Sequence, residues 1–129
     1  MPRFMMLMIP NIPMTTDWMP SAEDVAEMTA FNQALVDAGV LLDGQGLAPP
    51  EAGFRVTFPK KGTSKITDGP FAEAKEVVGG YWIIQTKTRE EAVEWAKRIP
   101  GDESNIVEVR QIMEMEDFPE DVQAAAEIH

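Results

Sequence analysis

Two extended stretches that are apolar on both faces constrain this chain more than any motif in it. From Arg3 to Ile9, Phe4, Met6 and Met8 alternate with Met5, Leu7 and Ile9, and from Gly80 to Thr86, Tyr81 and Ile83 alternate with Trp82 and Ile84. A strand that is apolar on both sides has to be covered on both sides. Each run precedes a helical pattern. Ser21 with Asp24 three residues later forms a capping-box signal, and Val25, Met28, Phe31 and Leu35 recur at helical spacing until Gly39 supplies a left-handed stop, predicting a helix over 22–38. Thr88 with Glu91 repeats the signal, and Ala92, Trp95, Ala96 and Ile99 carry a second helix to Pro100-Gly101.

The remaining segments complete an alternating pattern. Val40-Leu-Leu42 reads as a strand, and Gly44-Gln-Gly46 with Pro49-Pro50 reads as a break, since a Gly-x-Gly that opens no helix is turn chemistry rather than a phosphate cradle. Phe54, Val56 and Phe58 alternate with Arg55 and Thr57, predicting a half-buried strand, and Pro59-Lys-Lys-Gly62 turns the chain into a second arm, Thr63 to Thr67. A last strand spans Asn105 to Met115, and a short Ala-rich helix begins near Asp117-Phe-Pro119. Strand, helix, strands, strand, helix, strand is the split βαβ order of a ferredoxin-like α+β domain, with an antiparallel sheet and two helices on one face. The expected domain spans residues 1–118, with 119–129 an acidic helical tail. Because the first strand and the Tyr81 strand are apolar on the side the helices leave open, a second copy packed sheet to sheet is the simplest cover, and a homodimer is expected.

Composition enters by exclusion. A net charge of −11 repels phosphate backbones and anionic membrane surfaces, so neither nucleic acid nor membrane is an expected partner. No cysteine is present, which removes disulfides, thiolate catalysis and zinc–cysteine sites and favours a reducing cytoplasm. Phe4 to Ile9 is too short for a membrane span or a signal sequence, so a soluble, unprocessed protein is expected. After Arg110 no Lys or Arg follows, while Glu114, Glu116, Asp117, Glu120, Asp121 and Glu127 do; that tail either solvates the protein or receives a basic partner. Arg55, Lys60, Lys61 and Lys65 make the hairpin the basic patch of the chain, either a solvated surface or an anion dock. The stretch from Pro10 to Pro20, with Met14, Trp18 and Met19, is either a flap over a pocket or a loop packed on the domain.

Asp68-Gly-Pro-Phe71, continued by Ala-Glu-Ala-Lys-Glu76 and Gly79-Gly80-Tyr81, resembles the signature of the DGPF-domain branch of the YCII-like superfamily. Ala38-Gly39-Val40, Gly44-x-Gly46-Leu47, Glu91-Ala92, Trp95-Ala96 and Glu108-Val-Arg110 extend the resemblance over most of residues 1–118. It implies a dimeric α+β barrel, and for many members a setting beside extracytoplasmic-function sigma factors. It also implies, for some relatives, an active site pairing a helix histidine with an aspartate. Asp68 matches the aspartate, whereas Met28 stands near the histidine position and the chain's one histidine is His129.

The candidate site residues follow from both sources. Asp68, ending a strand at a Gly-Pro turn, is either a general acid/base raised in pKa by an apolar surround or a cap on its own turn. Phe71 and Trp82 are candidate apolar walls of a ligand cavity. Glu73, Lys75 and Glu76 form either a salt-bridged surface turn or, with Asp68, an oxygen-rich cation site; no metal and no cofactor is expected. Arg110 either pairs with Asp68 or Glu108 or anchors an anionic ligand with its fork. Two functions remain side by side. One is a small-molecule-binding or regulatory protein tied to a sigma-factor pathway; the other is a lyase, isomerase or hydrolase acting on a small cyclic or carboxylated substrate through Asp68.

Overall fold

In the computed structural model, described for residues 1–10, 20–69, 77–101 and 105–126, the doubly apolar stretches lie side by side at the centre of one sheet. Strand β1 runs Arg3–Ile9, helix α1 Ala22–Asp37 and strand β2 Leu41–Gly46. A 3-10 turn at Pro50–Ala52 leads to β3, Phe54–Thr57, and β4, Lys65–Asp68. Then come β5, Gly80–Gln85, helix α2, Arg89–Lys97, and β6, Ile106–Gln111, with a second 3-10 turn at Met115–Asp117 before helix α3, Glu120–Ala126. The sheet order is β2-β5-β1-β6, antiparallel throughout, and β3 and β4 form a separate two-stranded ribbon. This is the ferredoxin-like α+β arrangement that the element order predicts.

Local chemistry sets the helix ends. Ser21 Oγ accepts from Asp24 N at 3.1 Å and the Asp24 carboxylate accepts from Ser21 N at 3.4 Å, so the capping box is complete. At the other end Gly39 adopts φ 71°, and Gly39 N and Val40 N donate to Val36 O and Leu35 O, which closes a Schellman cap over the buried pair Leu35 and Val40. The second box is half as expected. Thr88 Oγ1 accepts from Glu91 N at 3.2 Å, but the Glu91 carboxylate accepts from Lys87 N, one residue ahead of the cap.

The core lies between the sheet and the two longer helices. Phe4, Met6, Trp82 and Ile84 on the sheet meet Phe31 and Leu35 of α1, Ala92 of α2 and Ile99 just beyond it, all buried. Phe31 packs edge-on against Trp82 at 5.7 Å and Trp95 at 6.4 Å between ring centroids. On the opposite face Met5, Leu7, Ile9, Tyr81 and Ile83 remain half-exposed, with Ile106 of β6 alongside. Helices α1 and α2 both pack on the other face and leave this one uncovered by either.

Three expectations change. Gly44-Gln-Gly46 is not a break: it belongs to β2, paired through a bulge to β5, because backbone hydrogen bonding to a neighbour 38 residues away overrides glycine's poor strand preference. The Phe54 strand is not half-buried, since Phe54, Val56 and Phe58 are all exposed on a ribbon outside the main sheet. The last strand stops at Gln111, where a bidentate pair takes over: Arg3 Nε and a terminal guanidinium nitrogen donate to the two Glu114 oxygens at 2.6 and 3.1 Å. Part of the acidic tail thus ties the chain's C-terminal region to β1. Residues 11–19 of the Pro10–Pro20 flap or loop, with Met14, Trp18 and Met19, lie outside the described residues, as do Glu127 and His129.

Candidate functional site

Glycines open a cleft at one end of the helix-covered sheet face. Antiparallel register sets Gly44 opposite Trp82 and Gly46 opposite Gly80, with Met8 on the far side of Gly80, so three neighbouring positions on that face carry no side chain. Helix α1 passes above them and supplies Met28 and Asn32, one turn apart. The result is a cavity of about 170 Å³ lined by Met8, Met28, Asn32, Trp82 and the backbone of Gly44–Gly46 and Gly79–Tyr81. Two of these glycines sit in tight quarters. A Cβ at Gly80 would sit 3.0 Å from Gln45 O, and one at Gly44 3.2 Å from Trp82 Cδ1, whereas one at Gly46 would meet no atom within 4 Å.

Its polar feature is the Trp82–Asn32 pair. The indole Nε1–H donates to Asn32 Oδ1 at 2.8 Å. An indole is donor-only, so it fixes which way the amide points and leaves the Asn32 nitrogen as the donor that the cavity wall still offers. Among the described residues the lining brings in no charged side chain, and the tyrosine present turns its ring to the other face. There Tyr81 Oη donates to Asp43 Oδ2 at 3.1 Å, and this hydrogen bond, with desolvation and the carboxylate's charge, holds the phenol above its ordinary pKa.

The structure separates most of the residues that sequence reasoning groups together. Trp82 lines the cavity. Asp68 does not stand at a sheet mouth: it is the last residue of β4, exposed and paired in register with Phe54 of the ribbon, and its side chain makes no hydrogen bond to a described residue. Its neighbour is the structural member of the motif. Gly69 N donates to Gly53 O at 2.9 Å, and a Cβ at Gly69 would overlap the Pro50 carbonyl oxygen, so only glycine closes the ribbon against the preceding turn. Arg110 faces the open side of the sheet, opposite Met5 on β1, exposed rather than interior, and forms an ion pair with neither Asp68 nor Glu108. Phe71, Glu73, Lys75 and Glu76 lie outside the described residues. Asn32, Met8 and the strand glycines are lining residues that sequence reasoning missed. The signal that points to them is the i, i+4 relation of Met28 and Asn32 together with Gly44, Gly46 and Gly80, legible once β2 is read as a strand.

An uncharacterised protein of Rhizobium meliloti (strain 1021) is 28% identical over 85 residues, an alignment covering 64% of this chain and 68% of that protein. No helix among the described residues is long and apolar enough to cross a membrane. The family model described as the YCII-related domain matches residues 3–116, and the chain belongs to that family.

Proposed function

We propose that this protein binds a small, uncharged ring compound in the cavity between α1 and the glycine-bearing ends of β2 and β5. The observation that carries this reading is the lining itself: methionine and indole walls, bare glycine backbone and one oriented amide, with no charge among the described residues. A dry apolar cavity of roughly 150 Å³ takes a benzene-sized guest, so about 170 Å³ suits one ring with a small substituent. The amide nitrogen of Asn32 would donate to a ring hydroxyl or carbonyl, and the thioethers of Met8 and Met28 adapt to the ring's outline.

A thermal-shift screen of phenols, cyclic ketones and lactones, with benzoates as the charged control, tests the reading. A ligand at 100 times its dissociation constant adds about 2.7 kcal/mol to stability. Neutral rings should raise Tm and benzoates should not. Gly46→Leu projects into the cavity from a position where an added Cβ meets no atom within 4 Å, so it should abolish the shift while leaving the fold intact. Ring-induced shifts that survive Gly46→Leu, or a preference for benzoates, overturn the site.

A regulatory use is favoured over turnover. Acid/base chemistry by Asp68 in a lyase, isomerase or hydrolase needs that carboxyl at the ligand, and the described lining contains no carboxyl. The link to an extracytoplasmic-function sigma-factor pathway is supported by the Asp68-Gly-Pro-Phe71 resemblance, and the genes beside this one test it. Cytoplasmic location is supported by the lack of cysteine. We also infer a homodimer paired through the open sheet face, supported by the half-exposed Met5, Leu7, Ile9, Tyr81 and Ile83. A monomeric mass by light scattering at micromolar concentration removes that inference.

A further inference from the structure

The β3–β4 ribbon has the wrong surface for an element facing water. Register sets Val56 opposite Ile66 and Phe54 opposite Asp68, so Phe54, Val56 and Ile66 share one face with Asp68 at its end, and Phe58 follows one residue beyond β3. All are exposed: Phe54 at 65%, Val56 at 41%, Phe58 at 72% and Ile66 at 66%. An isolated two-stranded hairpin is marginal in water and gains independent stability by packing. A run of large apolar side chains on such an element marks a contact surface.

Charge identifies what the ribbon contacts. Residues 54–68 carry Arg55, Lys60, Lys61 and Lys65 against the one acid Asp68, an excess of three positive charges on a chain whose total is −11. The body that remains is more acidic than the chain as a whole. Its open sheet face carries Asp43 on β2, which accepts from Tyr81, and Glu108 beside Arg110 on β6, on the same side as the half-exposed Met5, Leu7 and Tyr81. Each copy therefore carries a basic arm with an uncovered apolar face and an acidic body with an uncovered apolar face. A two-fold exchange satisfies both at once, because an isologous interface uses each surface twice.

We propose that the β3–β4 ribbon is a dimerisation arm. It lays Phe54, Val56, Phe58 and Ile66 on the second copy at the margin of the paired sheets, with Lys60 and Lys61 of the turn facing a body of net negative charge. This rests on the homodimer inferred above and adds a contact that sheet pairing alone does not need. The turn is built to hold its shape at the tip. Gly62 sits at φ 84°, Thr63 N donates to Lys60 O at 3.0 Å, and Thr63 Oγ1 donates to the same carbonyl at 2.8 Å while accepting from Lys60 N at 3.2 Å.

Sedimentation equilibrium on the full chain tests it, using Phe58→Glu, Lys60→Glu with Lys61→Glu, and Leu7→Glu. Phe58 and the lysines are exposed, so their variants should keep the circular dichroism of the parent. The arm predicts that Phe58→Glu weakens the dimer at least tenfold and that the lysine variant weakens it and flattens its salt dependence. Because the chain has no cysteine, Phe58→Cys accepts one environment-sensitive fluorophore, which should shift to the blue as concentration drives dimer formation. If Leu7→Glu dissociates the dimer while Phe58→Glu leaves its constant unchanged, sheet pairing stands and the arm is overturned. A monomeric parent overturns both, and a fluorophore already shielded in the monomer overturns the arm.

Discussion

Replacing Asn32 by leucine isolates the interaction that shapes the cavity. Leucine keeps the branch at Cγ and the number of side-chain heavy atoms but removes the acceptor of the Trp82 indole N–H, at 2.8 Å. Trp82 is 6% exposed, so the orphaned N–H keeps little access to bulk water, and leaving it unpaired costs about 1–3 kcal/mol. Leucine's better helix propensity inside α1 returns a few tenths of a kcal/mol. The net loss is therefore about 1–2 kcal/mol, or roughly 3–5 °C in Tm per kcal/mol for a chain of this size. Trp82→Phe deletes the donor instead and leaves the half-buried Asn32 amide beside the cavity, where water reaches it, so it forfeits a net hydrogen bond of about 1 kcal/mol plus the lost packing of the larger ring. With the indole gone, adding Asn32→Leu removes nothing further, and the double variant should match Trp82→Phe. The coupling energy is then about 1–2 kcal/mol. Urea unfolding followed by circular dichroism, at one fixed protein concentration, measures all three variants. Asn32→Leu within 0.5 kcal/mol of the parent, on the scale where ordinary surface changes fall, or strict additivity in the cycle, refutes the claim that this amide serves the indole.

Gly39→Ala should cost about 1–2 kcal/mol from backbone conformation alone, because φ is 71° and no atom lies within 4 Å of the added Cβ; a neutral result in urea unfolding would contradict the Schellman cap. Gly69→Ala should loosen the ribbon and leave the main sheet protected, seen as roughly tenfold faster amide exchange, about 1.4 kcal/mol, confined to β3 and β4. The hydrogen bond and charge of Arg3 hold the Glu114 carboxyl below its ordinary value, so its contribution is complete above the unfolded-chain pKa of about 4.3 and is lost as pH falls through the depressed folded value. Glu114→Gln should therefore flatten the acid limb of a stability-versus-pH curve and leave neutral pH nearly unaffected in slope. Tyr81 runs the other way: its raised pKa gives a contribution present below the unfolded phenol value and lost on the alkaline side, and Asp43→Asn should diminish it in a spectrophotometric titration.

Features written in adjacent residues were legible in the sequence. Ser21 and Asp24, Gly39, and the alternation of Phe4 to Ile9 and Tyr81 to Ile84 each encode their outcome locally, which is why the helices, central strands and open face follow from spacing. Failures share one cause, a partner far along the chain. Gly44 and Gly46 become strand only because Trp82 and Gly80 lie beside them. Asn32 looks like any polar helix residue until an indole 50 positions away claims its oxygen. Asp68 and Arg110 both end up on strands, but nothing in their spacing reveals that one strand belongs to a detached ribbon. The alternation of Phe54, Val56 and Phe58 does signal a face to be buried, yet the single chain provides no cover for it.

The position of β1 between β5 and β6 has a consequence for how the protein reaches this fold. Strand β1, made before either of its neighbours, is hydrogen-bonded on both edges, and both neighbours arrive late: Arg3 pairs with Gln85, and Phe4 with Gln111. Until then the Phe4 to Ile9 run has neither its partners nor its cover. The ribbon, by contrast, closes over a handful of residues. Closing long loops before the contacts that reward them makes folding slow relative to helical domains of equal length. A chain interrupted before Ile106 would leave β1 with an open edge, the geometry most prone to pair with the wrong strand. The arrangement that centres the core on β1 thus leaves the growing sheet dependent on β6.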